Sequence, residues 1–127
     1  MNRRTFLTTL LIATAAPSLV PAAIELRPRP LLLQESPLAG FQYHQGRRIW
    51  SRLSEGDPLR LVREPGNRFD PRAVALYWRE HKLGYLPRRE NVTVAQMLDR
   101  GQALAARIVR LREAADPWER VRVEVAA

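Results

Sequence analysis

Glu64-Pro65-Gly66-Asn67-Arg68-Phe69-Asp70-Pro71-Arg72-Ala73-Val74 separates two apolar runs, Leu59 to Val62 and Val74 to Trp78. Two prolines, a glycine, an asparagine and an aspartate make dense turn chemistry, so the flanking runs read as strands joined by a loop. The loop carries more than a turn needs. Phe69 offers an aromatic ring beside the carboxamide of Asn67 and the carboxylate of Asp70, with Arg63, Arg68 and Arg72 gathered around that carboxylate.

Working outward, Leu31-Leu32-Leu33-Gln34 is a short apolar strand, and Leu38 to His44 alternates as a second, with Gly40 a candidate bulge. Gln45 to Arg48 turns the chain, and Ile49 to Leu53 forms a helical turn before the stop at Glu55 to Pro58. Past the loop, Ala73–Trp78 and Lys82–Leu86 read as a hairpin joined through Arg79, Glu80 and His81. Asn91 (or Glu90) stands where a helix cap should, Val94, Met97 and Leu98 fall on one helical face, and Gly101 sits at the C′ position. Ala103 to Arg112 and Arg120 to Val125 are the last strands, the latter alternating valines with charges, and Asp116-Pro117 lies between them. Many short strands, one helix and no βα rhythm predict a mainly β chain with helical insertions, a small barrel or half-barrel.

The 127 residues suit one domain, and the formal charge is +8, carried by a single lysine and otherwise by arginine. That balance favours a polyanionic partner and says nothing of fold. The absence of cysteine excludes disulfides and thiolate metal sites. The first 23 residues read as an export signal: Arg3-Arg4, an apolar stretch from Phe6 to Ala16, then Val20-Pro21-Ala22-Ala23 with cleavage after Ala22 or Ala23. The Arg-Arg-x-Phe-Leu string resembles a twin-arginine signal, with Thr8 where lysine is usual, so general secretion is the alternative route. The apolar run falls short of the roughly 20 residues that span a bilayer, so no stable membrane insertion is expected after processing. Removing Arg3 and Arg4 leaves 19 basic and 13 acidic residues, a formal +6. The expected organisation is signal 1–23, linker 24–30 and domain 31–127, in an exported, periplasmic protein; a cytoplasmic product is the alternative.

No catalytic constellation emerges. His44 and His81 are the only histidines and match no metal-ligand spacing, and no phosphate-cradling glycine loop is present. Asp70 is placed as an orienting carboxylate rather than a general base. No enzyme activity and no cofactor are therefore expected. Tyr85, with Arg88 and Arg89 behind it, and Tyr43 with His44, followed by Arg47 and Arg48, each place aromatics beside guanidinium groups. That combination stacks bases and holds phosphates.

Three strings in order, Gly40 to Gly46, Leu61 to Val74 and Leu83-Gly84-Tyr85-Leu86-Pro87-Arg88, resemble a HIRAN domain over roughly Leu31 to Val125. The resemblance implies an OB-like β-barrel with helical additions and, as in fork-remodelling ATPases, capture of the free 3′-hydroxyl end of single-stranded DNA. It implies that Asn67, Phe69 and Asp70 hold the terminal nucleotide, Asp70 accepting from the 3′-hydroxyl and Phe69 packing on a base. Tyr43 and His44 match an aromatic pair in the first strand, His44 replacing a tyrosine, and Gln42 replaces an arginine. Tyr85 stands where a histidine is usual, and Arg88 matches a basic phosphate contact. The ATPase and zinc modules that accompany the domain elsewhere are not expected here. The rival reading is an exported barrel for another periplasmic ligand or a protein partner, in which Asn67 and Asp70 satisfy loop amides and Phe69 plugs the core.

Overall fold

The computed structural model describes residues 30–127; the expected export signal, 1–23, and all of the expected linker except Pro30 lie outside the described residues. Six antiparallel strands, β1 (Leu32–Pro37), β2 (Pro58–Glu64), β3 (Ala73–Trp78), β4 (His81–Tyr85), β5 (Ala105–Leu111) and β6 (Val121–Ala126), form one sheet in the order β1-β6-β5-β2-β3-β4. β2 links its two halves. Pro58 and Leu59 pair with β5, and Arg60 to Glu64 pair with β3. Register shifts in the β1–β6, β3–β4 and β5–β6 pairs add the local twist that curls the sheet.

The curl brings the two edges together at one place. Beyond β1, the Leu38 amide bonds the Val121 carbonyl of β6, and Ala39 forms an isolated bridge with Tyr85 of β4 through two bonds of 2.9 Å. Gly84 makes this approach possible, because a Cβ there would strike the Ala39 carbonyl oxygen. The glycine of the Gly84-Tyr85-Leu86-Pro87 string is thus a closure residue.

The strand patterns behave as elementary packing requires. In β6, Val121, Val123 and Val125 are buried between half-buried Arg122, Glu124 and Ala126. β3 is buried nearly throughout, as befits an interior strand with apolar side chains on both faces. The core joins these to Leu38, Phe41, Leu83, Leu86, Val94 and Ile108. The one α-helix among the described residues, α1 (Val92–Asp99), lies against β2 and β3. Gly101, at φ 83°, ends it: its amide bonds Leu98 and the Gln102 amide bonds Met97, the paired bonds of a Schellman stop.

Three local expectations are corrected. Leu38 to His44 is not a strand beyond Ala39. Gly40 adopts φ 75°, and Phe41–Tyr43 and Gln45–Arg47 are successive 3₁₀ turns. Phe41 drives this, buried with its ring edge-on to Trp50 at 5.7 Å and so close to Gly46 that no Cβ fits there. The hairpin turn is shorter than expected, Arg79 and Glu80 alone, with Arg79 at φ 55°. Asn91 occupies the cap position of α1, but its side chain makes no cap bond.

Candidate nucleic-acid interface

The loop between β2 and β3 uses its polar side chains on itself. The Asn67 Oδ1 accepts from the amides of Phe69 (2.8 Å) and Asp70 (3.1 Å), and Asp70 Oδ1 accepts from the Arg72 amide (2.9 Å). These are Asx turns, side chains standing in for backbone acceptors. Asp70 Oδ2 accepts from the Nδ2 of fully buried Asn91 at 2.7 Å, so the would-be helix cap ties the loop to α1. The expected cluster of arginines around this carboxylate does not form. Arg63 turns to Asp99 (2.8 Å) and the Ala73 carbonyl, and the partners of Asp70 are a carboxamide and an amide.

With Asn67 and Asp70 pinned, Phe69 is held outward, 78% exposed. It does not plug the core. Across from it Tyr43, on the first 3₁₀ turn, is 79% exposed. Two large aromatic rings turned to solvent on separate segments are unusual unless something covers them.

Between them lies a cleft of about 420 Å³, lined by Tyr43, His44, Asn67, Phe69, Asp70, Tyr85 and Arg88, with Ala39, Gly40, Ala73 and Leu86 completing it. Thus the loop, the 3₁₀ turn, the end of β4 and the segment after it contribute side chains to one hollow. Gln42 is the exception: exposed one position before Tyr43, it does not line the cleft.

The HIRAN domain model matches residues 31–127. The chain belongs to the HIRAN family. A crystal structure of a protein from Lactobacillus plantarum superposes with TM-score 0.61 at 25% identity, over 78% of this chain and 98% of that one. The human HLTF HIRAN domain superposes with TM-score 0.59 at 15% identity, over 76% of this chain and 77% of that one, a likeness of fold. No curated protein matches. HIRAN domains are known in nucleic-acid binding, and the curled antiparallel sheet is their OB-like architecture.

Beneath the cleft of this HIRAN domain lies a network that sequence reasoning missed. Glu64 Oε1 accepts from the Tyr85 hydroxyl (2.8 Å) and from Asn67 Nδ2 (3.0 Å), and its Oε2 pairs with Lys82 Nζ at 2.7 Å. Lys82 also donates to the Tyr85 hydroxyl at 2.9 Å. Burial works against ionised Glu64, but hydrogen bonds from Lys82, Asn67 and Tyr85 outweigh it, and its pKa is lowered. Burial likewise opposes charged Lys82, but its bonds to Glu64 and Tyr85 prevail and its pKa is raised. Both groups stay charged and hold the polar end of Tyr85, leaving its ring to the cleft. The signal for Lys82 was available: it is the only lysine in a chain that otherwise uses arginine.

His44 meets the Tyr85 ring edge-on at 5.5 Å. Burial, then the nearby Lys82 charge, lowers its pKa against a weaker opposing pull from Glu64. At neutral pH it is therefore an aromatic wall, not a cation. Positive charge in the cleft comes from Arg88, which is exposed and has no acidic partner among the described residues. Among the described residues no group of three side chains could hold a metal.

Proposed function

We propose that this HIRAN domain binds single-stranded DNA in the cleft, prefers a free 3′ end, and does so without catalysis. The observation that carries the reading is the convergence of Tyr43 and Phe69, both exposed, on a hollow floored by Tyr85 and His44 and edged by Arg88. Aromatic faces accept any base, and one guanidinium at the rim suits the adjoining phosphate. Asp70 is the acceptor for the terminal hydroxyl. A carboxylate has about four acceptor positions, of which Asn91 and the Arg72 amide take one on each oxygen. Both histidines serve neighbours other than a nucleophile: His44 packs on Tyr85, and His81 stacks on Trp78 with Nδ1 at Gln45. This supports a binding module rather than an enzyme.

Titration of a fluorescent oligonucleotide against Tyr43→Ala and Phe69→Ala tests the cleft. Each lost stack is worth about 1–3 kcal/mol, or roughly 5- to 150-fold in Kd. Folding stability should stay within about 0.5 kcal/mol, because neither ring is buried. Unchanged affinity in both variants would remove the cleft from the account.

A second reading, a barrel for another periplasmic ligand or protein partner, is favoured by one observation. Asn67 and Asp70 already do structural work in the loop. On this reading the polar residues maintain the fold, and the exposed rings meet a protein. Binding of the oligonucleotide that is weak and indifferent to both ring substitutions would favour it.

A further inference from the structure

The charges of this domain are unevenly neutralised. On the β1-β6-β5 half, Arg107, Arg112, Arg120 and Arg122 are paired with Glu124, Glu119, Glu113 and Glu35, and Arg110 alone has no acidic partner among the described residues. Around the tip of the β3–β4 hairpin the arginines have no acidic partner among the described residues and are held on aromatic rings instead. Arg52 and Arg79 lie over Trp78 at 5.1 and 4.3 Å, and Arg60 lies over Tyr77 at 4.8 Å. Of the carboxylates nearby, Asp57 is occupied by the Trp78 indole and the Ser54 amide, and Glu80, in the turn itself, lies 3.7 Å from His81 Nε2. Stacking fixes a guanidinium plane while leaving its edge N–H groups free to donate.

Two hollows, of about 310 and 400 Å³, run along this ridge. The first holds Arg48, Arg52 and His81, the second Arg60 and Arg79. They begin where the cleft ends. His44 lines the cleft and Gln45 the first hollow, and Gln45 Oε1 is anchored to the Lys82 amide at 3.1 Å. Tyr85 at one end of β4 lies in the cleft and His81 at the other end lies in the hollow, about 13 Å apart along the strand.

We propose that Arg48, Arg52, Arg79 and Arg60 form a second contact surface, which holds the phosphodiester backbone of the strand on the 5′ side of the nucleotide seated in the cleft. The proposal rests on the cleft reading for its direction and on the unpaired guanidiniums for its chemistry. Trp78 is only 4% exposed, so the surface grips phosphates and stacks no base. It therefore adds affinity with length and without sequence preference.

The test compares a dinucleotide with an oligomer of about ten nucleotides, within the span an OB-type barrel covers, across a salt series. For the wild type, affinity should rise at least about tenfold with length, and the salt slope should steepen by about 0.7 for each added phosphate contact. The triple variant Arg48→Gln, Arg52→Gln, Arg79→Gln should lose that gain and leave dinucleotide binding unchanged. The double variant Arg107→Gln, Arg112→Gln, on the neutralised half, should keep it. No length dependence in the wild type overturns the proposal even if the triple variant fails to fold, and so does equal loss from the two arginine variants. A length gain that survives while Tyr43→Ala and Phe69→Ala bind as wild type would sink the cleft reading and leave the ridge standing.

Discussion

Replacing Asp70 separates its two proposed duties, scaffold and ligand acceptor. Its carboxylate, 8% exposed, holds the Asn91 side chain at 2.7 Å and the Arg72 amide at 2.9 Å. Asn91 is fully buried, and its Oδ1 has no partner. Asp70→Ala therefore strands a whole carboxamide in the interior. A buried donor left unpaired costs about 1–3 kcal/mol, and the charge-assisted bond that held it is of similar size, so the loss should be about 2–4 kcal/mol. For a domain of about 100 residues each kcal/mol lowers Tm by about 4–8 °C. Asp70→Asn behaves differently. Half a turn of the Asn91 amide offers its free Oδ1 to the new amide group, so stability should return to within about 1 kcal/mol of wild type. The anionic acceptor is nevertheless gone, and end preference should be lost in both variants. Urea unfolding followed by tryptophan fluorescence gives the stabilities. An alanine variant within about 0.5 kcal/mol of wild type, or an asparagine variant as damaged as the alanine one, would refute this view of Asp70.

Gly84→Ala should destabilise by about 1–3 kcal/mol, measured by urea unfolding, because its methyl group must displace the Ala39 carbonyl that closes the barrel. Stability should depend on pH through three groups at the cleft. The lowered pKa of His44 means its contribution is complete above its usual value of about 6.5 and is lost as pH falls below it; His44→Phe should flatten that limb. Lowered Glu64 contributes fully above about pH 4.3 and loses this as pH falls further, while raised Lys82 contributes fully below about pH 10.4 and loses this as pH rises further. A plateau between about pH 6.5 and pH 10 in a series of urea midpoints is the expected result. Intact mass of the protein from fractionated cells should show loss of residues 1 to 22 or 23 in the periplasmic fraction; a full-length cytoplasmic product would remove the export proposal and its competing ligand class.

Much of this was legible in the chain because single residues carried it. The valine alternation marked β6, Gly101 marked the helix end, and the Asn67 to Asp70 string marked the loop that builds one wall of the cleft. What escaped depends on neighbours distant in sequence. Leu38 to His44 alternates as a strand would, yet the burial of Phe41 beneath Trp50 and against Gly46 winds it into 3₁₀ turns. Asn91 has the identity of a cap, yet a carboxylate 21 residues earlier takes its side chain. The Glu64–Lys82 pair joins β2 to β4 across the cleft floor, and no local pattern announces a contact between strands that are not sheet neighbours.

The central claim is that the cleft receives a free 3′ end. Its most direct measurement is the Kd of the wild-type domain for one short oligonucleotide carrying either a 3′-hydroxyl or a 3′-phosphate, at two salt concentrations. Asp70 should accept from the hydroxyl and repel the phosphate, so the hydroxyl form should bind about tenfold or more tightly, with the preference persisting as salt weakens both. Equal binding that falls in parallel with salt would reduce the interaction to attraction by a basic surface and contradict the account.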